Sequence, residues 1–281
     1  MTELISGQLT ELAPSVHRLI APNPGVMTGP GTNSYLFGGR DIAVLDPGPN
    51  DSRHVQALLD AANSIGGKIS RIIVTHTHPD HSPAAAVLKE KTGAELIGCN
   101  IEQDGFQDDT FKPDRVPEHD ELIAVEGGPL RAIYSPGHVG NHFCYLHEPS
   151  GLLFTGDHVM QGSTVVIIPP AGDMKDYIDS LRRMLDYPLK FIAPGHGGLI
   201  PEPHNELEYL VAHRLKREAK VLEKLSDFDC ANLDELVVPV YDDVDVSLHP
   251  VAQLSLLAHL LKLQKDGRTV ETAGRWALVS A

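Results

Sequence analysis

Four potential metal ligands lie within six residues of the chain, in the segment HTHPDH at positions 76–81: His76, His78, Asp80 and His81. The segment directly follows Ile72–Val74, an apolar run that predicts a buried strand. Because side chains two positions apart in extended backbone point the same way, His76 and His78 can converge on one point. The other two ligands arrive at a turn before a predicted helix. Imidazole and carboxylate groups in this setting are typical of a zinc, iron or manganese site.

Three more candidate ligands follow predicted strands further along the chain: His138, Asp157 and His196. Each comes directly after a glycine, which permits a tight turn at a strand end. Any one of them alone could be an ordinary loop residue, and the segment at 76–81 could be a polar surface turn. Their joint occurrence at strand ends favours a metal site built on a rigid sheet.

This set of residues resembles the metallo-beta-lactamase superfamily, in which HxHxDH is followed by a His, an Asp and a His in that order. GTNSYL at 31–36, PGHG at 194–197 and the outline of the C-terminal region are similar to the beta-lactamase-like-protein-2 group. The resemblance covers nearly the whole chain. It implies an α+β four-layer αββα sandwich with a small helical, winged-helix-like C-terminal domain. After His81 the chain continues Ser-Pro-Ala, where many members have glycines, and we expect this to alter only the helix start.

The resemblance also implies two groups of metal ligands that share one carboxylate: His76, His78 and His138 for the first metal, Asp80, His81 and His196 for the second, and Asp157 for both. The implied cofactor is two zinc ions per chain, with manganese or iron(II) as alternatives. The implied reaction is attack by a metal-bridging hydroxide. Asp80, as the acceptor of the water proton, and Asp157, which sets the metal–metal distance, are the candidate catalytic residues. Asp46, in VLDPG at 44–48, would support the ligands from behind, although a turn-forming Asp before Pro-Gly explains it equally well.

The elements that must position these residues alternate between short strands and helices. Strands are predicted at Ser34–Phe37, Ile42–Leu45, Ile72–Val74, Ala94–Ile97, Leu122–Val125, Leu130–Tyr134, His142–Leu146, Leu152–Phe154 and Phe191–Ala193. Helices are predicted at Ser52–Ser64, Ser82–Lys91 and Lys175–Asp186. In the second helix, Ser82 is the expected N-cap and Pro83 the first helical residue. This mixture predicts sheets in the middle and helices outside.

After a predicted loop at Ile200–Asn205, the pattern becomes helical. Helices are predicted at Glu206–Leu225, Asn232–Val238 and Val251–Lys265, followed by a β-hairpin within Gly267–Val279. Three helices and a hairpin have the outline of a winged helix. We therefore predict a catalytic domain at residues 1–203 and a winged-helix-like domain at 204–281.

The balance of charges constrains the partners. Asp and Glu number 38 against 23 Lys and Arg, for a net charge of −15. Such a surface repels polyanions and argues against RNA as a partner. Three isolated cysteines fit a reducing compartment. MTELISGQLTEL at the N-terminus shows no signal peptide, and no stretch approaches the about 20 apolar residues of a membrane span. We predict a cytoplasmic protein without a membrane partner.

These observations predict a hydrolase that acts on a small ester, thioester or lactone. The alternative is a metal-dependent endoribonuclease or phosphodiesterase, which the winged-helix outline favours. Against it, Val251–Lys265 carries only two lysines, so the C-terminal domain is expected to cover the active site or to pack against a second subunit in a homo-oligomer. Beta-lactam cleavage is disfavoured because dinuclear beta-lactamases have Cys or Ser at the position of Asp157. A mononuclear iron persulfide dioxygenase is disfavoured because a single metal does not require His196 as a ligand. A non-catalytic binding module is disfavoured because all the candidate ligands are intact.

Four residues are weaker candidates. His142 either lines the pocket, orients His138 or is a structural histidine. His158, next to Asp157, is expected to point away in extended backbone and to be structural. Thr164 and Tyr177 lie between the later motifs and could face the pocket.

Overall fold

The computed structural model describes residues 4–102 and 105–279, which form two compact units. The described residues of the first unit are 4–102, 105–135, 141–163 and 188–203. Those of the second unit are 136–140, 164–187 and 204–279. Of the N-terminal segment examined for a signal peptide, residues 1–3 lie outside the described ranges.

The first unit contains a mixed sheet whose strands follow sequence order: β1 (Thr10–Ala13), β2 (Val16–Ile20), β3 (Asn33–Phe37), β4 (Asp41–Leu45), β5 (Lys68–Ile73) and β6 (Glu95–Ile97). Strands β1 to β4 pair antiparallel, whereas β4, β5 and β6 pair in parallel. Parallel neighbours need a crossover, which helices α1 (Ser52–Ile65) and α2 (Ala84–Thr92) provide. The carboxyl ends of β4 and β5 therefore share one edge of the sheet.

A second sheet in the same unit also follows sequence order: β7 (Leu122–Ile123), β8 (Leu130–Tyr134), β9 (Phe143–His147), β10 (Leu152–Gly156), β11 (Phe191–Pro194) and β12 (Ile200–Pro201). Its one parallel pair among the described strands is β10 with β11. Asp157 follows β10 and His196 follows β11, so the parallel pairing brings both out at the same edge.

Alternate residues of the first sheet enter two different apolar layers. Leu36 and Val44 pack with residues of α1, including Leu58. Tyr35 and Phe37 pack with residues of the second sheet, and the ring centroids of Tyr35 and Phe154 are 4.6 Å apart in an edge-to-face contact. This period of two is what a strand buried on both faces requires. The prediction of sheets in the middle with helices outside is confirmed for α1 and α2.

Apart from Pro203, the first residue of α4, the second unit contains these helices and a hairpin: α3 (Met174–Met184), α4 (Pro203–Leu225), α5 (Leu233–Val240), α6 (His249–Lys265), β13 (Thr269–Thr272) and β14 (Arg275–Leu278). Asn232 and Glu235 form a reciprocal capping box at the start of α5. Trp276 of β14 pairs with Ala231 and packs into a core with Leu256 and Leu260 of α6. The predicted outline of three helices followed by a hairpin is confirmed.

Helix α6 is apolar on most sides. The stretch Val246–Lys265 has the length and mean hydropathy, 1.2, of a membrane span by composition alone. However, 44% of its most apolar window is buried, and Leu256, Leu260 and Leu263 lie in the core of the second unit. The core helix of a soluble protein has the same composition. The expectation that no stretch reaches membrane-spanning length overlooked this helix.

Several element boundaries differ from those predicted. Ser82 is not the N-cap of α2: the helix begins at Ala84 with Pro83 at the cap position. The Ser82 hydroxyl donates instead to a carboxylate oxygen of Asp108 (2.7 Å), and this interaction competes with capping. The sequence also failed to predict β1 and β2, and it predicted a loop where β12 pairs with β11. Strands β1 and β12 are short edge strands that provide too few alternating residues to be recognised, whereas β2 is an inner strand.

Candidate metal centre

The loops that follow β4 and β5 are locked together. Directly after β4, Asp46 has a φ of +50°, a left-handed conformation that Asp tolerates. Its backbone N–H donates to the carbonyl of Ile73 (2.9 Å), and the N–H of Gly48 donates to the carbonyl of His81 (2.8 Å). The turn at Asp46 therefore positions the HTHPDH segment.

A first group of potential ligands in the first unit consists of His76, His78 and Asp157. Nε2 of His76 and Nδ1 of His78 are 3.0 Å apart, as the prediction from their spacing requires. Asp157 offers a carboxylate oxygen within 4.8 Å of a ring nitrogen of each histidine. Two imidazoles and a carboxylate at such distances suit a zinc-like cation.

A second group consists of Asp80, His81, Asp157 and His196, with all ligand atoms within 4.8 Å of one another. Nε2 of His81 lies 3.2 Å from Oδ1 of Asp157, and Nε2 of His196 lies 3.3 Å from the same oxygen. Oδ2 of Asp80 lies 3.2 Å from Nε2 of His196. Asp157 thus belongs to both groups, which is the arrangement expected of a bridging carboxylate.

Asp46 holds residues of both groups in place. Its Oδ2 accepts from the Thr75 hydroxyl (2.8 Å) and from Nδ1 of His81 (3.0 Å). Since the Thr75 hydroxyl donates to Asp46, it accepts from Nδ1 of His76, 2.9 Å away. These contacts place a proton on Nδ1 of both imidazoles and leave Nε2 as the ligand atom. The Asp46 side chain, buried at 2% exposure, is therefore a supporting residue as well as a turn former.

The chemistry of the second group fits a cation. Among the described residues, Nε2 of His81 has no hydrogen bond of normal geometry although it is fully buried. A buried imidazole nitrogen without such a bond is costly unless another group binds it. Nδ1 of His196 lies 3.4 Å from the carbonyl of Gly31, which again directs Nε2 toward the carboxylates.

The pKa values of the imidazoles differ between the groups. Burial, followed by the His81 imidazole, holds the pKa of His76 well below 6.5. Burial would also lower the pKa of His81, but Asp80 and Asp157 outweigh it and raise that pKa well above 6.5. Burial is likewise outweighed at His196, where the hydrogen bond to Asp157 raises the pKa to about 9. His76 is therefore neutral, as a metal ligand must be, whereas the second group attracts positive charge that a divalent cation can supply in place of protons.

Two glycines leave room for these ligands. A Cβ on Gly195 would lie 2.7 Å from both Oδ1 of Asp157 and Cε1 of His81. A Cβ on Gly156, whose φ is +46°, would lie 2.4 Å from the Thr75 hydroxyl oxygen. Any larger residue at either position would therefore displace the ligand set.

Hydrogen bonds within the second sheet and between the two sheets position Asp157 and His196. The N–H of Gly195 donates to the carbonyl of Gly156 (2.8 Å), which joins the loops that carry Asp157 and His196. Asn33 and Tyr35 of β3 both donate to the carbonyl of Pro194, at 2.9 and 2.7 Å. Strand β3 thus fixes the approach of His196.

The remaining predicted ligand, His138, lies on the segment 136–140 of the second unit. Its Nδ1 is 3.1 Å from the carbonyl of Val166, which leaves Nε2 as the ligand atom. Gly137, at a φ of +144°, lies so close to Tyr177 that a Cβ would come within 2.3 Å of the Tyr177 backbone. Val166, rather than the suggested His142, is thus the residue that orients His138.

The weaker candidates have separate positions. His142 is fully buried and its ring stacks on that of His76 at 5.1 Å. His158 is also fully buried, 5.5 Å from His142. Tyr177 is fully buried beneath Arg214 in the second unit, and Thr164 lines a cavity there.

Sequence reasoning missed two supporting residues. Thr75 was not recognised as the link between Asp46 and His76. Asn141, whose amide donates to the Thr77 hydroxyl (2.7 Å) and to the carbonyl of Cys99 (2.8 Å), was also missed. The position of Thr75 directly before the histidine motif was an available signal, whereas the contacts of Asn141 are long-range.

The two parts of the chain match two families. Residues 27–196 match the metallo-beta-lactamase superfamily, and residues 233–276 match the beta-lactamase associated winged helix domain. The chain is 32% identical to the Beta-lactamase-like protein 2 homolog of Drosophila melanogaster over 277 residues, which covers 92% of this chain and 91% of that protein. It is 28% identical over 243 residues to the Atrochrysone carboxyl ACP thioesterase of Passalora fulva, covering 82% and 69% of the two chains.

A solved structure supports the same fold. The beta-lactamase domain protein from Burkholderia ambifaria matches with a TM-score of 0.82 at 20% identity, covering 99% of this chain and 96% of that chain. At this identity the match bears on the fold, and it confirms the fold class predicted from the resemblance. The chain therefore belongs to the metallo-beta-lactamase superfamily, as a metal-dependent hydrolase that carries the winged helix domain associated with that superfamily.

Proposed function

We propose that the chain hydrolyses a small thioester, ester or lactone with two metal ions, most simply zinc, bound at the two ligand groups. The observation that carries the proposal is the carboxylate of Asp157, which lies in both groups. Two ligand groups that share one carboxylate can hold two metal ions close together, as a two-metal hydrolytic site requires. The resident cations would lower the pKa of a shared water toward neutrality and polarise the carbonyl under attack.

His138 is the proposed remaining ligand of the first group. It lies on a segment of five residues between Ser135 and Asn141, and the Ser135 N–H donates to the carbonyl of His142 (3.0 Å) at the base of that segment. His142, four residues further along the chain, stacks on His76 of the first group. The contact with Val166 supports the tautomer that a ligand needs.

Asp80 is the proposed acceptor of the water proton. Its side chain is 27% exposed, against 15% for Asp157, so it is the more accessible of the two carboxylates. Its Oδ2 lies 3.2 Å from Nε2 of His196 and 3.6 Å from Nε2 of His81. Asp157 and Asp46, in contrast, are enclosed by imidazoles and hydrogen-bond donors, and their proposed role is to hold and orient ligands.

An acyl substrate is favoured by the apolar loop next to β3. Gly25 and Gly29 bond to each other through two backbone hydrogen bonds (2.8 and 3.1 Å), and the loop between them exposes Val26 completely and Met27 at 63%. Thr32, a few residues on, pairs with His196. The connection between β2 and β3 thus carries both the exposed apolar side chains and Thr32, which pairs with His196. An acyl chain of the substrate could bury apolar surface against these side chains. A relative named as a thioesterase supports this class of substrate.

RNA cleavage is the second candidate, because residues 233–276 match a winged helix domain. The net charge of −15 opposes it, since phosphate backbones are bound by Lys and Arg. The same two-metal chemistry would serve a phosphodiester, so only the substrate distinguishes the two functions.

The test is a side-by-side assay of the purified, zinc-loaded chain on an acyl thioester, a lactone, a chromogenic phosphodiester, a beta-lactam and single-stranded RNA. The variants Asp157→Ala and His78→Ala each remove a ligand. Asp60→Ala and His119→Ala, both at exposed positions outside the two groups, are matched controls. Bound metal is counted by elemental analysis in all five proteins.

The proposal expects two zinc ions per chain and acyl-bond hydrolysis that falls to background in both ligand variants and persists in both controls. Zinc-dependent RNA cleavage that exceeds every small substrate would replace the proposal with the nuclease. One iron per chain would refute the two-metal site and favour the persulfide dioxygenase considered from the sequence.

A further inference from the structure

The second unit contains a cavity of about 240 Å³, whose wall includes Val166, the residue that orients His138. Its wall combines apolar and cationic side chains, among them Val165, Arg214, Arg217, Tyr241, Leu248 and Ala252. A dry cavity of about 150 Å³ accepts benzene, so this one has room for a somewhat larger ligand.

Arg214 places a buried positive charge in this wall. The residue is 4% exposed. Its guanidinium donates to the backbone carbonyl of Val165 and lies 5.2 Å above the ring of Tyr177. Its Nε is buried without a hydrogen-bond partner among the described residues. Neither contact is with a negative charge, and no carboxylate in the described ranges lies within 4.0 Å of the guanidinium. A buried cation without a counter-ion is strongly unfavourable.

The neighbouring acidic groups are occupied elsewhere. Asp243 binds Arg217 through two hydrogen bonds (2.7 and 2.9 Å), and that guanidinium also lies 4.3 Å from the Tyr241 ring centroid. Glu218, one turn from Arg214 on α4, binds Lys262 at 2.9 Å. Arg214 therefore remains the one buried cation of the described cavity wall without a carboxylate.

The histidine in the wall adds no further charge. Burial lowers the pKa of His213 from its usual value, and the nearby guanidinium groups of Arg214 and Arg217 lower it further. The imidazole is thus neutral at physiological pH, and the cavity keeps a net positive charge next to apolar side chains such as Val165 and Ala252.

We propose that this cavity binds a small carboxylic acid with an apolar body, its carboxylate opposite Arg214 and its hydrocarbon portion against Val165, Leu248 and Ala252. The carboxylate would supply the missing counter-ion, and a charged hydrogen bond to a guanidinium is among the stronger ones in proteins. The apolar wall accounts for the rest of the volume. The site does not depend on the proposed hydrolysis, and binding alone tests it.

The experiment measures binding of octanoate, octanol and octylamine to the full chain by calorimetry at neutral pH. Octanoate should bind at one site per chain and at least tenfold more tightly than either comparison compound, because only it carries the negative charge. In Arg214→Met, which keeps the length of the side chain and loses the charge, this preference should disappear. Arg182→Met, at an exposed position on α3, should leave it unchanged.

A second variant protects the test against misfolding. Ala252→Phe places a ring in the cavity and should weaken octanoate and octanol together, whereas Arg214→Met should weaken octanoate alone. Circular dichroism and the fluorescence of Trp276 report whether each variant is folded. Equal binding of octanoate and octylamine, unchanged octanoate affinity in a folded Arg214→Met protein, or absence of saturable octanoate binding would each overturn the proposal.

Discussion

Replacing His259 with methionine should make the second unit less sensitive to acid. His259 is fully buried in α6. The nearest carboxylate oxygen, on Glu218, is 3.9 Å from Nδ1, too far for a hydrogen bond. Burial lowers the pKa of the imidazole from 6.5 to about 4, and the favourable interaction with the Glu218 carboxylate offsets this decrease only in part. The folded state therefore keeps the ring neutral well below the pH at which the unfolded chain protonates it.

The sign and size of the effect follow from this difference. Between pH 6.5 and 4 the unfolded chain binds a proton that the folded chain does not, so stability is fully present above pH 6.5 and is lost as the pH falls. A shift from 6.5 to about 4 corresponds to about 3 kcal/mol of unfolding free energy lost by pH 4. The His259→Met variant has no imidazole to titrate at this position. Its free energy of unfolding should therefore fall by about 3 kcal/mol less than that of the parent chain between pH 6.5 and pH 4.

The chain offers a direct assay. Trp276 is its only tryptophan, and it is 4% exposed in the core of the second unit that α6 helps to form. Urea unfolding followed by tryptophan fluorescence at pH 7, 6, 5 and 4 therefore reports on the unit that contains His259. His119→Gln, at an exposed position in the first unit, is the control and should follow the parent chain. Parallel pH profiles for His259→Met and the parent chain would refute the reasoning.

Three further changes test the metal centre and the core. Asp46→Asn should lower zinc affinity ten- to a hundredfold in a chelator competition, because one carboxylate oxygen accepts from the Thr75 N–H while the other accepts from the Thr75 hydroxyl and His81, and the NH2 group of an amide can accept at neither position; unchanged affinity would contradict the supporting role. Gly195→Ala should reduce bound metal while circular dichroism stays unchanged, because the added methyl group would come within 2.7 Å of Asp157, and retention of two metals would argue against this packing. Leu256→Ala should lower the unfolding free energy of the second unit by about 2–5 kcal/mol, and a loss well under 1 kcal/mol would show that the core relaxes into the space.

Much of the candidate site could be predicted because its ligands are local in sequence or follow a strand. The HTHPDH segment needed only the alternation of extended backbone and the turn before α2. Asp157 and His196 needed the further inference that their strands end at one edge, and the parallel pairing of β10 with β11 explains why they do. Their roles as metal ligands stay predictions that elemental analysis can decide, as does the domain boundary at residue 203.

Other features could not be predicted because they depend on long-range contacts. Whether Asp46 is a turn former or a support depends on two donors about thirty residues away. Ser82 has the residue type and position of an N-cap, and only the distant carboxylate of Asp108 explains why it is not one. The same holds for Arg214, whose sequence neighbours give no sign that its charge is buried beside a cavity.

The distribution of the ligands over both sheets has a consequence for synthesis of the chain. A ribosome releases the HTHPDH segment long before Asp157 and His196, and strand β3 has no Pro194 carbonyl to bind until β11 has been made. A nascent chain that ends before β11 offers a cation a partial set of ligands and none of the contacts that enclose them. We expect newly made protein to acquire metal late, after nearly three quarters of the chain has emerged, because only then are both sheets and all the ligands present.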